Sequence, residues 1–457
     1  MRNFLFFLST KINAKKLSTS KIIALSFFGI ICFGTFLLML PIASKNGVSC
    51  GFRPALFTAT SATCVTGLVM YDTWVQWTGF GQIVIISLIQ IGGLGFMTIA
   101  SFVVMVLRRR IGMKQRMVMA QSFGIDNTGG IVKKQIWMLK ACLAIEGIGA
   151  LLLTLGFSRD YGFLKSLKLG VFHSISAFCN AGFDILGFRG EGTSLITYGT
   201  DPFICIVLAS LIIIGGLGFM VWEEATRVKS FKKLSVYSKL VLITTCILLF
   251  GGMLLFMILE WNNPETLGSM SFGEKLVAAF FQSATTRTAG FAGIDQGGLT
   301  DASKAVTMFL MLIGGSSGST AGGLKTVTFI VIILFMLAHI RGRKRVCVFH
   351  RNIPDAQLVN ALTIFVIMVG LSFIGGLVIS ATSPISFTDG LYETISALAT
   401  VGLTTGVTTS LSIISQYMLI MFMYFGRVGV LTLSLGFLMG HNKEQNFSYA
   451  ETNVLIG

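Results

Sequence analysis

Charge is scarce in this chain. Only 12% of its 457 residues are Asp, Glu, Lys or Arg, against roughly 25% in an ordinary soluble domain. Proline, at 6 residues, is too rare for a Pro-rich disordered or collagen-like chain. The 4 histidines and 8 cysteines include no C-x-x-C pair, so neither a zinc site nor a disulfide framework is indicated. Acids are the rarest charges, 19 against 35 Lys and Arg, for a net +16. What is abundant is apolar: 53% hydrophobic residues, 39 Phe and 52 Gly, with a mean hydropathy of +0.80. These proportions describe a polytopic membrane protein.

The placement of the charges gives the topology. Lys11, Lys15, Lys16 and Lys21 precede an apolar run over 22–40, which is long enough to span and has no A-x-A cleavage site. Further basic groups are Arg108–Arg110 with Lys114 and Arg116; Lys133, Lys134 and Lys140; Arg227, Lys229, Lys232, Lys233 and Lys239; and Arg341, Arg343, Lys344, Arg345 and Arg351. The positive-inside rule makes these segments cytosolic. The basic excess is thus a collar that meets anionic lipid and can dock a partner, not a nucleic-acid footprint. Trp74, Trp77, Trp137, Trp222 and Trp261 fall near span ends, where interface anchors are expected. Connections 41–76, 158–202, 260–304 and 381–416 hold most of the acids, Glu393 among them. Each also holds an apolar stretch too short to span, which predicts a re-entrant segment.

Those four connections share a signature. The first unit reads Ser61-Ala62-Thr63-Cys64-Val65-Thr66-Gly67, and the second Ser176-Ala177-Phe178-Cys179-Asn180-Ala181-Gly182. The third, with one extra residue, reads Ser283-Ala284-Thr285-Thr286-Arg287-Thr288-Ala289-Gly290. The fourth reads Ser396-Ala397-Leu398-Ala399-Thr400-Val401-Gly402. The glycines are 115, 108 and 112 residues apart. A second signature follows: Ile91-Gly92-Gly93-Leu94-Gly95-Phe96-Met97 returns identically as Ile214–Met220, then degenerates to Ile313-Gly314-Gly315-Ser316-Ser317-Gly318 and Phe425-Gly426-Arg427-Val428-Gly429. Near-constant spacing of two signatures implies four structural repeats. The expected fold is an all-α membrane protein of four helix–pore loop–helix repeats. They have pseudo-fourfold symmetry about one central pore, eight spans and cytosolic termini. The boundaries are 1–21 (N-terminus), 22–134, 135–237, 238–356 and 357–447 (repeats), and 448–457 (C-terminal tail). Pore loops are expected near 52–68, 166–183, 270–291 and 386–403.

Four such loops can surround an axis. The C-terminal end of a short pore helix carries partial negative charge, which favours a cation. Carbonyls in the turn after it can replace an ion's hydration shell. A glycine there permits φ > 0 without a Cβ penalty. The candidate ion-binding residues are therefore Val65, Thr66, Gly67, Asn180, Ala181, Gly182, Thr288, Ala289, Gly290, Thr400, Val401 and Gly402. They resemble degenerate potassium-filter T-V-G-Y-G sequences. Each lacks the second glycine, which predicts fewer coordination rings and weaker selectivity. Gly92, Gly93, Gly95 and their counterparts read as helix-packing residues.

In the third repeat the last helix is interrupted. Gly314, Gly315, Ser316, Ser317, Gly318, Ser319, Thr320, Ala321, Gly322 and Gly323 lie between apolar flanks. Each glycine costs a helix about 1 kcal/mol relative to alanine. A loop at this depth must line the path or be buried. Arg427, at the position of Gly93, Gly216 and Gly315, belongs at the same depth. Placing an arginine at mid-helix costs about 2.5 to 3.5 kcal/mol on insertion scales. It is expected to hydrogen-bond loop carbonyls or hydroxyls and to set a barrier to cations. Lys325, just below, either reinforces that barrier or snorkels.

The four loop glycines, the glycine-rich third repeat, Arg427 and the ending Val454-Leu455-Ile456-Gly457 together resemble the bacterial Ktr-type potassium-translocating subunits of the Trk/Ktr/HKT superfamily, over essentially the whole chain. The resemblance implies potassium uptake, often sodium-dependent, with the 314–323 loop closing the pore below the filter. It implies a homodimer with one pore per protomer, docked on a cytosolic ring of RCK regulatory subunits. Potassium, with sodium as a second ion, would be substrate, and nucleotide would sit on the partner. No covalent cofactor and no nucleic acid are expected. A coupled symporter is the rival reading, disfavoured because all repeats share one orientation. An intramembrane enzyme would need a Ser/His, paired-Asp or H-E-x-x-H constellation in the spans, and none is present. Arg287 either holds the filter turn or faces the surface, and His173 reads as a packed histidine. Asp184, Asp295 and Asp301 are either vestibule or solvated charges, and Glu223 and Glu224 are candidate partner contacts.

Overall fold

The computed structural model describes residues 19–95, 130–228, 230–343 and 345–429. Lys11, Lys15 and Lys16, the 108–116 basic cluster, Lys229, Lys344, Phe96, Met97 and the 448–457 tail lie outside them.

Helices dominate. Among the described residues four are each long and apolar enough to cross a membrane: α1 (Thr19–Met39), α4 (Ile131–Phe157), α8 (Val236–Glu260) and α12 (Asp355–Thr382). Each carries large apolar side chains outward, such as Phe36, Leu151, Ile247 and Val366, all more than 60% exposed. In water such a surface would aggregate; in lipid it is solvated. Helices α4, α8 and α12 begin at Ile131, Val236 and Asp355, a few residues ahead of the expected boundaries at 135, 238 and 357. Ser235 caps α8 by accepting from the Ser238 amide, and Pro354 precedes α12.

A short helix follows each long one and packs heavily against it: α2 (Phe52–Cys64), α5 (Phe163–Phe178), α9 (Phe272–Thr285) and α13 (Phe387–Leu398). A third helix then returns: α3 (Gly79–Leu94), α6 (Pro202–Leu217), α10 (Asp301–Leu312) and α14 (Ile413–Val428). After α6 the chain bends by 94° into α7 (Phe219–Arg227). After α10 it loops before α11 (Thr326–Ile340). The sequence placed a break in the third repeat alone, but the second breaks too. Helices α3, α6 and α14 all stop at a glycine with positive φ: Gly95 (81°), Gly218 (90°) and Gly429 (93°). In the third repeat Gly318 has φ 70°.

The core corrects the reading of the tryptophans. Trp77 is fully buried, and Trp222 is buried against Phe178 and Phe219. Trp137 and Trp261 are about 40% exposed, as interface anchors would be. Cys64, Cys142, Cys179 and Cys205 are buried free thiols that pack as small apolar groups.

Candidate ion site

The four short helices end in matching turns. Val65 (φ 59°), Asn180 (60°), Thr288 (62°) and Thr400 (53°) are left-handed, and each lies two residues ahead of Gly67 (100°), Gly182 (68°), Gly290 (80°) and Gly402 (96°). Sequence reasoning assigned positive φ to the glycines only. A non-glycine residue pays about 1 to 2 kcal/mol for this conformation, so packing and hydrogen bonds must hold it. The Thr66, Ala181 and Val401 amides donate to the Ser61, Ser176 and Ser396 carbonyls at 2.8 Å. Ser61 and Ser396 Oγ accept from the Gly67 and Gly402 amides at 3.1 and 3.0 Å. Ser176 Oγ donates to the Phe183 carbonyl at 2.7 Å. In the third repeat the extra residue shifts this role. Thr285 Oγ1 donates to Phe291 O, while Ser283, the aligned serine, donates to Leu249 O.

The turns then meet in order. A Cβ built on Gly67 falls 2.6 Å from the Ala181 carbonyl oxygen, and one on Gly182 falls 2.7 Å from that of Ala289. One on Gly290 would overlap Val401 O, and one on Gly402 would overlap Thr66 O. Each glycine thus abuts the residue before the next repeat's glycine, and the fourth closes on the first. All twelve candidate residues are buried. The Thr66, Thr288 and Thr400 hydroxyls have no protein partner. Among the described residues no cluster of three His, Cys, Asp or Glu could hold a metal. Among the described residues the turns meet through backbone carbonyls and threonine hydroxyls, neutral oxygens of the kind that suit a weakly held monovalent cation.

The second signature packs beneath the turns. A Cβ on Gly92, Gly215 or Gly426 would overlap the carbonyl of Thr63, Phe178 or Leu398, at the end of the preceding short helix. Gly314 instead lies against Gly322 O, across the loop's own neck. That neck is tied by Gly314 N to Leu324 O (2.9 Å), Leu324 N to Leu312 O (3.1 Å) and Thr326 N to Gly315 O (3.1 Å). The loop docks on the break after α6. The Ser316 and Thr320 amides donate to Gly216 O and Gly215 O, the Phe219 amide donates to Gly318 O, and Tyr237 donates to Ser317 O. Ser319 Oγ closes back on Ser316 O. Thr320 Oγ1 also donates to Phe178 O at 3.0 Å and lies 3.3 Å from Asn180 Oδ1, which joins the loop to the second turn.

Arg427 sits beside this loop. Its Nη1 donates to Thr320 O, and its Nη2 donates to Gly92 O and, at 3.2 Å, to Gly93 O. One guanidinium therefore joins the third, fourth and first repeats. Lys325 Nζ donates to Ala321 O at 2.8 Å. Arg287 is buried rather than surface-facing; its Nη2 approaches Gly314 O at 3.5 Å. His173 is fully buried among Phe157, Phe172 and Phe291, with Nδ1 on Leu169 O.

Of the acids singled out from the sequence, one is more deeply placed than expected. Glu393, counted with the loop acids, is fully buried on α13. It accepts from Thr404, from Thr408 at 2.9 Å and from the Thr405 amide at 3.3 Å, just beyond Gly402. The nearby buried chain Tyr392–Gln296–Gln282 was also missed. It joins residues of three separate elements, Gln282 on α9, Tyr392 on α13 and Gln296 in the segment after the third turn, which no local spacing reveals. Asp184 and Asp295 accept from the amides of Leu186 and Gly297, two residues on. Glu223 and Glu224 are both engaged within the chain. Glu223 pairs with Lys134 at 2.9 Å. Glu224 accepts from the Ser235 amide and from the Ser235 and Ser238 hydroxyls. Burial pushes the Glu224 carboxyl up, but these hydrogen bonds outweigh it and hold the group below its ordinary value.

Buried glycine turns inside a helical shell with an apolar exterior define a multi-pass membrane protein. The profile of the TrkH cation transport protein family matches residues 8–449. The potassium/sodium uptake protein NtpJ of Enterococcus hirae is 41% identical over 97% of this chain and 98% of its own. The Ktr system potassium uptake protein B of Bacillus subtilis is 39% identical over 96% of each, and its Vibrio alginolyticus namesake 37% over 96% of this chain and 94% of its own. The crystal structure of the potassium transporter TrkH from Vibrio parahaemolyticus shares the fold, with a TM-score of 0.71 at 17% identity, over 93% of this chain and 86% of that one. The chain belongs to the TrkH cation transport protein family. It is a multi-pass membrane transporter rather than an enzyme.

Proposed function

We propose that the chain takes up potassium across the cytoplasmic membrane through one central pore. The observation that carries this reading is the cyclic order in which Gly67, Gly182, Gly290 and Gly402 abut the next repeat's turn. The four long helices and the four that return after the short ones then make eight spans with pseudo-fourfold symmetry. Carbonyls of the twelve turn residues replace potassium's hydration shell. With one glycine per repeat the filter is short, so it favours potassium and rubidium over sodium only moderately. The 314–323 loop, held by Arg427 and Lys325, is the gate beneath it. The names of the relatives, which include potassium/sodium uptake and a Ktr system, support uptake of potassium as part of a larger system, and the uptake is proposed to depend on sodium. The chain would work as a homodimer, with nucleotide-binding RCK subunits docked on its basic cytosolic loops in a membrane of anionic lipid.

Rubidium-86 uptake into liposomes containing the purified chain tests this. Uptake should follow an imposed potassium diffusion potential and proceed without sodium in a fixed ratio. A strict sodium–rubidium stoichiometry would replace the pore with a symporter. No uptake with a correctly folded chain would remove the reading altogether.

Glu393 is expected to position the filter from behind. Glu393→Gln keeps the size and one acceptor oxygen for Thr404 and Thr405, but sets an NH2 donor against the Thr408 hydroxyl; imperfect pairing at buried sites costs about 1 to 3 kcal/mol. The apparent potassium constant should rise about tenfold while the protein elutes as a single folded species. A wild-type constant would make Glu393 merely structural.

A further inference from the structure

A pocket of about 610 Å³ opens at the basic end of the molecule, remote from the four turns. It lies between the start of α8, the start of α12 and a two-stranded hairpin, β1 (Cys347–Val348) with β2 (Arg351–Asn352). Lys233, Lys239 and Arg351 line it, and no carboxylate does. Among the described residues none of the three forms an ion pair. Lys239 is held in place: its Nζ donates to Lys232 O at 2.8 Å and lies 5.4 Å from the centre of the Phe349 ring. The nearby carboxylate of Glu224 is already engaged by Ser235 and Ser238. Glu224 offsets part of the Lys239 charge, but no carboxylate lines the cavity to offset Lys233 and Arg351, so an anion there is favoured. Two long helices also start here, α8 and α12, and their N-terminal ends favour negative charge. Asn352 and Gln357 add donors at the rim.

We propose that this pocket binds a phosphate-bearing anion. The ligand is either the headgroup of an anionic lipid in the cytosolic leaflet or a soluble phosphate such as a nucleotide. Both offer the same oxygens to two lysines and the forked guanidinium of Arg351. The cytosolic placement rests on the topology proposed above, but binding does not depend on transport.

The test uses the full chain in phosphatidylcholine nanodiscs and reads binding rather than flux. One arm titrates phosphatidylglycerol, followed by native mass spectrometry; the other titrates ATP and inorganic phosphate, followed by calorimetry. Wild type should bind in one arm, and that arm identifies the source. Lys233→Gln with Arg351→Gln should weaken that binding about thirtyfold, the loss expected for two interfacial cations. Lys233→Arg with Arg351→Lys should restore most of it. The charge-matched pair Lys45→Gln and Arg53→Gln, in the 41–76 connection outside the basic collar, should leave it unchanged. Absence of binding in both arms overturns the proposal. So does an equal loss in the control pair, or a double variant that binds every probe as wild type does but no longer retains a cytosolic regulatory protein.

Discussion

Arg427→Ala should raise rubidium flux through the reconstituted chain at least about tenfold. The substitution removes the donors to Thr320 O, Gly92 O and Gly93 O. Hydrogen bonds to charged groups contribute roughly 1.5 to 3 kcal/mol each, so the loop loses much of what ties it to the first and fourth repeats. The substitution also removes a positive charge from beside the proposed path. Two unit charges 4 Å apart interact by about 4 kcal/mol at an effective dielectric of 20. A tenfold gain in rate needs only about 1.4 kcal/mol, so either contribution suffices. Arg427→Lys separates them, because it keeps the charge and loses the fork. Its flux should lie between wild type and alanine. A folded Arg427→Ala protein that conducts no faster than wild type would refute the gate. Deleting residues 316–322 should open the pore in the same way.

The second large effect is expected at the turn glycines. In Gly402→Ser, φ 96° and the space both oppose the side chain: its Cβ would overlap Thr66 O and come within 2.8 Å of the Gly67 Cα. Neither neighbour is a flexible side chain, so backbone must move. Displacing one carbonyl from a shell of neutral oxygens weakens potassium more than it excludes sodium. The apparent potassium constant should rise about tenfold or more, or sodium should enter, since 1.4 kcal/mol is one decade of affinity. Gly67, Gly182 and Gly290 should behave alike, each being pressed against the next repeat. Gly79→Ala is the matched control. Its Cβ meets nothing within 4 Å, so its effect should stay within about 0.5 kcal/mol. An unchanged potassium-to-sodium ratio in all four glycine variants would sink the filter assignment.

Much of this site was legible in the sequence because repetition made it so. One Ser-Ala-x-x-x-x-Gly string is noise, but three of them and a fourth with one extra residue, at a near-constant spacing, marked the turns, and a second signature marked the depth of Arg427. What stayed hidden depended on partners that no local pattern names. Val65, Thr288 and Thr400 are β-branched residues with no propensity for a left-handed backbone; hydrogen bonds between each turn and the end of its own short helix hold them there. Gly218 ends α6 although its heptapeptide reads as continuous helix, because the 314–323 loop supplies the hydrogen-bond partners a break requires. Glu393 looked like a loop acid because charge predicts exposure, and only the later Thr404, Thr405 and Thr408 make its burial tolerable.

The closed order of the four turns has an evolutionary side. A ring made from four copies of one subunit changes in four places with every substitution. Here each quarter is encoded separately, so one can be altered while three stand. The second turn carries Asn180 where the others carry Val65, Thr288 and Thr400, and Arg427 of the fourth repeat ties the loop to the first repeat through Gly92 O and Gly93 O. Four guanidiniums at one level would repel each other and block the axis. A single one can act as a latch.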